Sequence, residues 1–575
     1  MDYIKFTKAN CKNCYKCLRS CPVKAIQFKN EQAKIINDRC ILCSRCVLIC
    51  PQNARKVNTH INKLKNALKN NKKIIVSLAP SFAGNFNFSY KKLIGALKTL
   101  GISYVEETAL GADITSRLYE KFINNNKMPY YISTACPSSN MLIEKYYPEL
   151  IKYMLPILSP MACHCKTLKE VYGKDAFVIF IGPCSAKKTE YELHNKDNIL
   201  DAVITYEECI KLLDDFNINI ESSPDIDFDC NSFNSGPHYP IPGGICNNIK
   251  DSLKFNNIKP IAVDGVYDCI DVFENIKKGY MKNSFIEVSI CKGSCIGGPD
   301  MIQNKHIYYN KLEKVENYIK NRTLISNEKL NKKEKDLSIK NFSKNFIDKS
   351  LEDIIFSEKE MEDTLKSMGK YSEEDELNCG VCGYNTCREK AKAILKGMAE
   401  PTMCLHYMRN KAESISNIIF ENTASCVILL DKNLNILEIN PAVETAFCVE
   451  KNAIKNKHIS ILMDETDFEY VKNTNKNLLG KKVHCNNYNL VFIENIIYIP
   501  KQNIFMASMI NITELEKNKQ NMKELKKTSF TAAQEVIEKQ MRVAQEIASL
   551  LGETTAETKI TLSNLKKFVN TDDEN

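Results

Sequence analysis

The chain has 575 residues, too many for one hydrophobic core, so about three to five domains are expected. Its net charge of +9 comes from lysines scattered among many Asn and Ile residues. Without a clustered Arg/Lys face, aromatic interleaving or a helix-turn-helix pattern, that charge argues against a nucleic-acid partner. No run of about 18 apolar residues is present to span a membrane, and Met1-Asp2-Tyr3-Ile4-Lys5 lacks an apolar signal segment. A cytoplasmic, reducing setting is therefore expected, in which 25 cysteines mean metal rather than disulfide staples.

The first elements in the chain are two cysteine runs. Cys11-x2-Cys14-x2-Cys17-x3-Cys21-Pro22 is followed by Cys40-x2-Cys43-x2-Cys46-x3-Cys50-Pro51. This is the two-cluster ferredoxin spacing, in which three thiolates come from one run and the fourth from the other. The expected sets are Cys11, Cys14, Cys17 and Cys50, and Cys40, Cys43, Cys46 and Cys21. Structural zinc would use two spaced pairs rather than a triplet plus one. Two 4Fe–4S clusters doing one-electron transfer are predicted, in a ferredoxin-like domain over residues 1–57.

A Lys-rich amphipathic stretch at 58–73 leads into the apolar run Ile74-Ile75-Val76-Ser77-Leu78, which predicts a buried strand. Runs such as Phe177-Val178-Ile179-Phe180-Ile181 then alternate with helical patterns to about residue 310, which reads as α/β. Three distant segments carry isolated cysteines: Thr134-Ala135-Cys136-Pro137, Gly182-Pro183-Cys184-Ser185-Ala186-Lys187-Lys188 and Cys291-Lys292-Gly293-Ser294-Cys295-Ile296-Gly297-Gly298-Pro299. Their four thiolates could hold one cubane, with Gly and Pro letting backbone approach it closely.

These segments resemble, in the same order, the three active-site signatures of the iron-only (FeFe) hydrogenases. The resemblance covers roughly residues 1–300. It implies an H-cluster, a 4Fe–4S cubane joined to a di-iron site with CO and cyanide ligands. Cys136, Cys184, Cys291 and Cys295 take the ligand positions, with Cys295 as the bridging thiolate. Ala79-Pro80-Ser81 resembles the segment that hydrogen-bonds one cyanide, Lys187 matches the lysine paired with the other, and Ser159-Pro160 resembles a further pocket segment.

Departures from the family pattern bear on activity. Catalytic members place a proton-passing cysteine where this chain has Ala135. The region after Asp113-Ile114-Thr115 reads Ser116-Arg117-Leu118-Tyr119-Glu120 and lacks the family's relay carboxylates, and Gly182 and Ser289 stand where methionines usually flank the di-iron site. General acid–base steps contribute about 10²–10⁴-fold, so slowed turnover is expected. Cys163-His164-Cys165 could ligate a metal or tune a cluster, although ligands one residue apart are unusual for either. Cys209, Cys230, Cys246 and Cys269 read as buried free thiols.

Residues 311–365 are charged and periodic, as helix with loop. Cys379-x2-Cys382-x4-Cys387-x16-Cys404 then places three thiolates about a Gly-rich turn and the fourth beyond a helix at Arg388–Met398. This resembles a small 4Fe–4S domain found beside redox and sensory modules, assigned to 365–412; four ligands with one long gap also suit zinc. Residues 413–515 resemble a PAS domain, with strand, turn and strand through Ile428–Ile439, then Asn440-Pro441-Ala442, and a last strand at Met509-Ile510-Asn511-Ile512. Another small α/β module is the alternative. Cys426 and Cys448 read as core. A C-terminal helix at 516–570, with an apolar seam at Val536, Val543, Ile547 and Leu550, is expected to form a coiled coil or dock on a partner. The last histidine is His484, so the tail holds no phospho-acceptor histidine.

The fold expected is multidomain α/β, with a two-lobed H-cluster domain over 58–350 between the front end and the small cluster domain. The function expected is that of a sensory FeFe-hydrogenase-like protein. It would bind or oxidise hydrogen slowly and report hydrogen or redox state through its clusters and the PAS domain. The alternatives are a ferredoxin-linked catalytic hydrogenase and a cubane-only redox sensor or carrier. Expected partners are hydrogen and protons, ferredoxin or another electron carrier, H-cluster maturation enzymes, a downstream kinase or phosphatase, and a second copy of the chain.

Overall fold

The computed structural model describes residues 4–6, 10–30, 32–194, 198–232, 234–301, 307–325, 338–352 and 354–551. It divides into two units, Met1–Met408 and Arg409–Asn575.

The first unit opens with strands β1 (Ile4–Phe6), β2 (Ile26–Lys29), β3 (Gln32–Ile35) and β4 (Arg55–Val57). β1 pairs antiparallel with β4, and β2 with β3. The cysteine runs fold as a repeat. Short helices Lys16–Ser20 and Arg45–Leu48 each start from a residue at φ 55 and ψ 8, Tyr15 and Ser44. That left-handed turn costs an L residue roughly 1–2 kcal/mol, and its recurrence shows two loops bent to one purpose.

The α/β region has β5 (Ile74–Leu78), β6 (Tyr104–Glu107), β7 (Tyr130–Ile132), β8 (Phe177–Gly182), β9 (Ala202–Thr205), β10 (Lys259–Asp264) and β11 (Ser284–Ser289). They form two parallel sheets, β6-β5-β8-β9 and β10-β11-β7. Parallel sheets are covered on both faces, which is why Ile74–Leu78 is apolar except for Ser77 and wholly buried. The candidate ligand segments all follow the carboxyl ends of these strands: Ala79-Pro80-Ser81 after β5, Cys136 after β7, Cys184 after β8 and Cys291 after β11. Ligands in parallel α/β sheets bind there.

Helix Tyr308–Asn321 closes this region, and its Val315 and Tyr318 enter the core of the first sheet. Helices Glu358–Ser367 and Cys387–Leu395 belong to the third cysteine segment. That segment packs on the front end. The Phe28 amide donates to the Met398 carbonyl at 2.9 Å, and the Gln27 side chain to that of Gly397 at 2.7 Å. Gly383, at φ +99, is so close to Leu18 that a Cβ would lie 2.8 Å from its Cγ.

The second unit holds β12 (Cys426–Leu430), β13 (Ile436–Ile439), β14 (Leu478–Cys485), β15 (Leu490–Ile499) and β16 (Ile504–Asn511) in one antiparallel sheet of order β13-β12-β16-β15-β14. Ile428, Ile436, Val443, Phe447, Phe468, Phe492 and Ala507 fill its core. Cys426 is buried, but Cys448 is exposed, against the sequence reading. It ends helix Pro441–Phe447 at φ 53, and that C-cap geometry turns it out of the core. Helix Thr513–Leu551 follows, with Val536, Val543 and Ile547 exposed; the Leu550 side chain and the tail Thr571–Asn575 lie outside the described residues. Among the described residues no helix is long and apolar enough to cross a membrane.

Candidate metal centres

The carboxyl ends of the two parallel sheets enclose a cavity of about 110 Å³. Cys136, Cys184, Cys291 and Cys295 all line it, with Ala79, Pro80, Ser81, Ala135, Lys187 and Ser289. Segments from residue 79 to residue 299 meet on this one wall. Burial drives the thiols of Cys184, Cys291 and Cys295 up, Cys295 to about 12, and the charges of neighbouring cysteines add to the rise in each. Thiolates that burial and mutual repulsion both disfavour are a donor set that a cationic iron cluster would satisfy.

The wall is built from backbone-following segments and one buried cation. Lys187 Nζ donates to Glu190 Oε2 at 2.7 Å, Ser159 Oγ at 2.9 Å and the Ala135 carbonyl at 3.2 Å. Burial would lower its pKa, but Glu190 and the thiols of Cys184 and Cys295 outweigh that, and the net direction is up. Lys187 is thus a fixed positive charge on the cavity wall. Ser159 does not line the cavity; it caps helix Pro160–Tyr172 through the Ala162 amide and holds Lys187 in place.

Opposite, Ser81 Oγ and Tyr206 Oη are 2.7 Å apart, and Tyr206 Oη donates to the Ala79 carbonyl at 2.9 Å. Glu190 and Tyr206 were not singled out in the sequence. Glu190 had a weak signal, an acid three residues after Lys187 on one helix; Tyr206 is brought to Ser81 by the sheet alone.

The departures have structural explanations. Ala135 lines the cavity with no ionisable group. A Cβ at Gly182 would lie 2.5 Å from the Phe180 ring, which itself lines the cavity, so an aromatic ring occupies the space a side chain there would need. Asp113 accepts from Ser232 Oγ at 2.5 Å and the Gly236 amide at 2.8 Å, tying both residues to its helix. Ser116 pairs with Tyr239, a cavity residue, at 2.8 Å. Cys163-His164-Cys165 is buried on helix Pro160–Tyr172, and its neighbours are protein groups: Cys163 donates to the Leu158 carbonyl and His164 Nδ1 meets Ser77 Oγ. Cys209, Cys230, Cys246 and Cys269 are all buried.

In the front end, Cys21, Cys40, Cys43 and Cys46 line one small cavity. Burial raises all four thiols, Cys43 to about 12, and the charge of Cys21 adds to the rise at each of the other three. Cys11 acts in the same way on Cys17, whose Sγ accepts from Arg55 at 3.4 Å. Ala25 and Ala54 amides donate to Cys21 and Cys50 Sγ at 3.3 and 3.4 Å, the same contact in both halves of the repeat. Cys14 is exposed. The charge of Cys43 also adds to the rise at Cys291. In the third segment, burial lowers the pKa of the Lys390 ammonium while the charges of Cys404, Cys382 and Cys387 oppose the fall. The charge of Cys379 bears on Cys382 as well. Among the described residues no group of three or more His, Cys, Asp or Glu side chains is placed to hold a metal ion.

The fold and the thiol sets are those of a multidomain α/β protein suited to iron–sulfur clusters, and one region of it is similar to an iron-only hydrogenase domain. Residues 72–299 match the family model of the C-terminal domain of the iron only hydrogenase large subunit, residues 3–51 a 4Fe–4S dicluster domain and residues 375–406 an Fe–S cluster family. Iron hydrogenase 1 of Clostridium pasteurianum is 28% identical over 384 residues, 54% of this chain and 66% of that protein. The periplasmic Fe hydrogenase large subunit of Nitratidesulfovibrio vulgaris is 24% identical over 261 residues, 36% of this chain and 61% of that protein. The chain thus spans under two thirds of either relative. The cytosolic Fe–S cluster assembly factor NAR1 of Eremothecium gossypii is 28% identical over 165 residues, 26% of this chain and 36% of that protein. A variant of the FeFe-hydrogenase HydA1 from Chlamydomonas reinhardtii superposes with a TM-score of 0.40 at 17% identity, over 50% of this chain and 99% of that one.

Proposed function

We propose that this chain is a sensory FeFe-hydrogenase-like protein that takes hydrogen slowly at an H-cluster and reports hydrogen or redox state. The observation that carries the proposal is the cavity: four thiols share it with Ser81, Pro80 and the fixed charge of Lys187. A cubane alone has no cyanides for Lys187 and Ser81 to hold. Cys136, Cys184, Cys291 and Cys295 would bind the iron. Bound there, the cluster supplies reversible two-electron chemistry on hydrogen; the chain's own part is to fix charge at Lys187 Nζ, exclude water and carry protons and electrons away.

Low turnover rests on Ala135, which cannot pass a proton. Electrons would leave through the thiol set whose Cys43 charge bears on Cys291, that of Cys40, Cys43, Cys46 and Cys21, and the segment 379–404 lies beside the front end as a further cluster. The sheet order of the second unit and its helix opening at Asn440-Pro441 support a PAS-type reporter module. The exposed seam Val536, Val543 and Ile547 would pair two copies or receive an output kinase or phosphatase.

Infrared spectroscopy of protein made with H-cluster maturation enzymes, under argon and then hydrogen, tests this. CO and cyanide bands that shift with hydrogen, alongside weak hydrogen production, are expected. Rapid turnover would turn the reading to a catalytic, ferredoxin-linked enzyme. Full cubane content without such bands would leave a cubane-only iron–sulfur protein, the reading to which the NAR1 likeness lends weight. Ala135→Cys alone should not restore fast turnover, because the relay carboxylates are missing too.

A further inference from the structure

One polar chain in the core is unaccounted for by the thiol sites. Ser77 on β5 and Glu106 on β6 are register partners, so their side chains share a face of the parallel sheet. Helix Pro160–Tyr172 packs across that face and lowers His164 between them. His164 Nδ1 lies 2.8 Å from Ser77 Oγ, and Nε2 lies 3.5 Å from Glu106 Oε2. Ser77 Oγ is also 2.7 Å from Thr108 Oγ1, and Thr108 lines the central cavity. At the other end Tyr172, two helical turns after His164 and half-buried, donates to Glu106 Oε1. Five consecutive polar side chains thus lead from the cavity wall toward the outside.

The placement is enforced. A Cβ at Gly111 would lie 2.7 Å from the His164 Cβ and 2.1 Å from the Pro160 carbonyl, so only glycine lets helix Ala109–Asn125 press His164 against the sheet. Ser77, Glu106 and His164 have no solvent exposure. His164 Nε2 and Glu106 Oε2 face one another with no hydrogen bond inside the normal limit. Leaving such groups buried costs roughly 1–3 kcal/mol each, a cost that an apolar core would avoid. Catalytic hydrogen bonds are often long in the resting protein and tighten when a proton is in transit.

We propose that Thr108, Ser77, His164, Glu106 and Tyr172 form a proton path between the cavity and solvent, bypassing Ala135. The inference rests on the hydrogen-taking function above. A proton freed in the cavity is taken by Thr108 Oγ1 as Thr108 passes its own to Ser77 Oγ. Ser77 passes its proton to His164 Nδ1, and His164 gives up the one on Nε2 to Glu106 Oε2. Each intermediate group ends with the number of protons it began with, only O–H and N–H bonds are exchanged, and the electrons stay with the iron–sulfur clusters. Protonated Glu106 then turns its acid O–H to Tyr172 Oη, which takes that proton as it gives its own to solvent water, and the Tyr172 O–H turns back to Glu106 for the next passage. Another polar contact on the cavity wall, Tyr239 with Ser116, continues to the side-chain amide of Asn248 at 3.5 Å, which has no titratable group.

The test uses full-length protein carrying its H-cluster. Infrared bands are followed after a jump from argon to hydrogen, in H₂O and D₂O and across pH, for wild type, Ser77→Ala, Glu106→Gln and Ser116→Ala. Ser77→Ala and Glu106→Gln should slow the band changes by about 10²-fold without moving the bands and should change the pH profile, with Ser116→Ala at the wild-type rate. Glu106→Gln should also remove a protonated-carboxyl band that shifts in D₂O in the hydrogen-minus-argon difference spectrum. Thr108→Val carries the same kinetic expectation and keeps the test open if Ser77→Ala does not fold. Wild-type rates and pH profile in the path variants, with CO and cyanide bands present, would overturn the path alone and leave a structural network; slowing by Ser116→Ala instead would do the same. Absence of those bands in wild type would overturn the function and the path together.

Discussion

The thiol sets of the front end and of the central cavity are both four-cysteine arrangements, yet they are built in opposite ways. In the front end, helices of four or five residues and left-handed residues such as Tyr15 and Ser44 bring three cysteines together within a single run, and backbone amides of Ala25 and Ala54 point at sulfur. In the cavity, segments after β7, β8 and β11 supply the thiols, and side chains, Lys187 above all, supply the polarity. A local loop can order itself around a metal as it folds. A cavity must be rigid beforehand, held by two covered parallel sheets, and that rigidity is what a site with additional ligands needs.

Cysteine removal should separate the two most sharply. In protein made without the maturation enzymes, Cys184→Ser should cost about four iron atoms per chain and leave the front-end electron paramagnetic resonance signals intact. Cys21→Ser should cost a similar amount of iron and also loosen residues 10–57, seen as faster amide hydrogen exchange. Equal loosening in both variants would break the contrast.

Lys187→Met removes the cation 2.7 Å from Glu190 Oε2 in a buried pair. Breaking such a pair costs roughly 3–5 kcal/mol. Denaturant unfolding of the cluster-free chain should show that loss, and a Lys187→Met, Glu190→Leu double variant should recover most of it.

The second unit has its own buried charge without a cluster. Burial of Glu494 on β15, reinforced by Asp467 and opposed by Lys481, raises its carboxyl from 4.5 to about 7. The folded form therefore holds a proton that the unfolded chain releases, and stability is full below about pH 4.5 and falls as pH rises through about 7. Glu494→Gln should raise the stability of this unit by up to about 3 kcal/mol at pH 8 and change it little at pH 4.5; melting curves at both pH values check this, and equal shifts would sink it.

Smallest is Thr205→Ala, which removes a capping box shared with Glu208, itself gripped by Lys188 at 2.8 Å. A loss of about 1 kcal/mol is expected in denaturant titration.

Spacing carries chemistry when the chain is locally short of alternatives. The Cys-x2-Cys-x2-Cys-x3-Cys-Pro runs, the apolar strand Ile74–Leu78 and the segments around Cys136, Cys184 and Cys291 were legible because each encodes its own turn, strand or ligand. Cys448 was misread because a helix cap, not its apolarity, sets its direction. Glu190, Tyr206 and Glu106 were illegible as site residues because an acid or phenol on a strand or helix looks alike whether it faces water or a cavity.

The sequence by itself determined the spacing of the cysteine segments and their likeness to iron–sulfur cluster domains and to an iron-only hydrogenase domain, because cluster-type thiols recur at fixed spacings that are read along the chain. Only the tertiary structure decided that the third cysteine segment rests on the front end, that Lys187 is a pinned charge and that His164 lies between Ser77 and Glu106. Those relations depend on which faces of distant strands and helices are brought together, and sheet register, not local spacing, sets that.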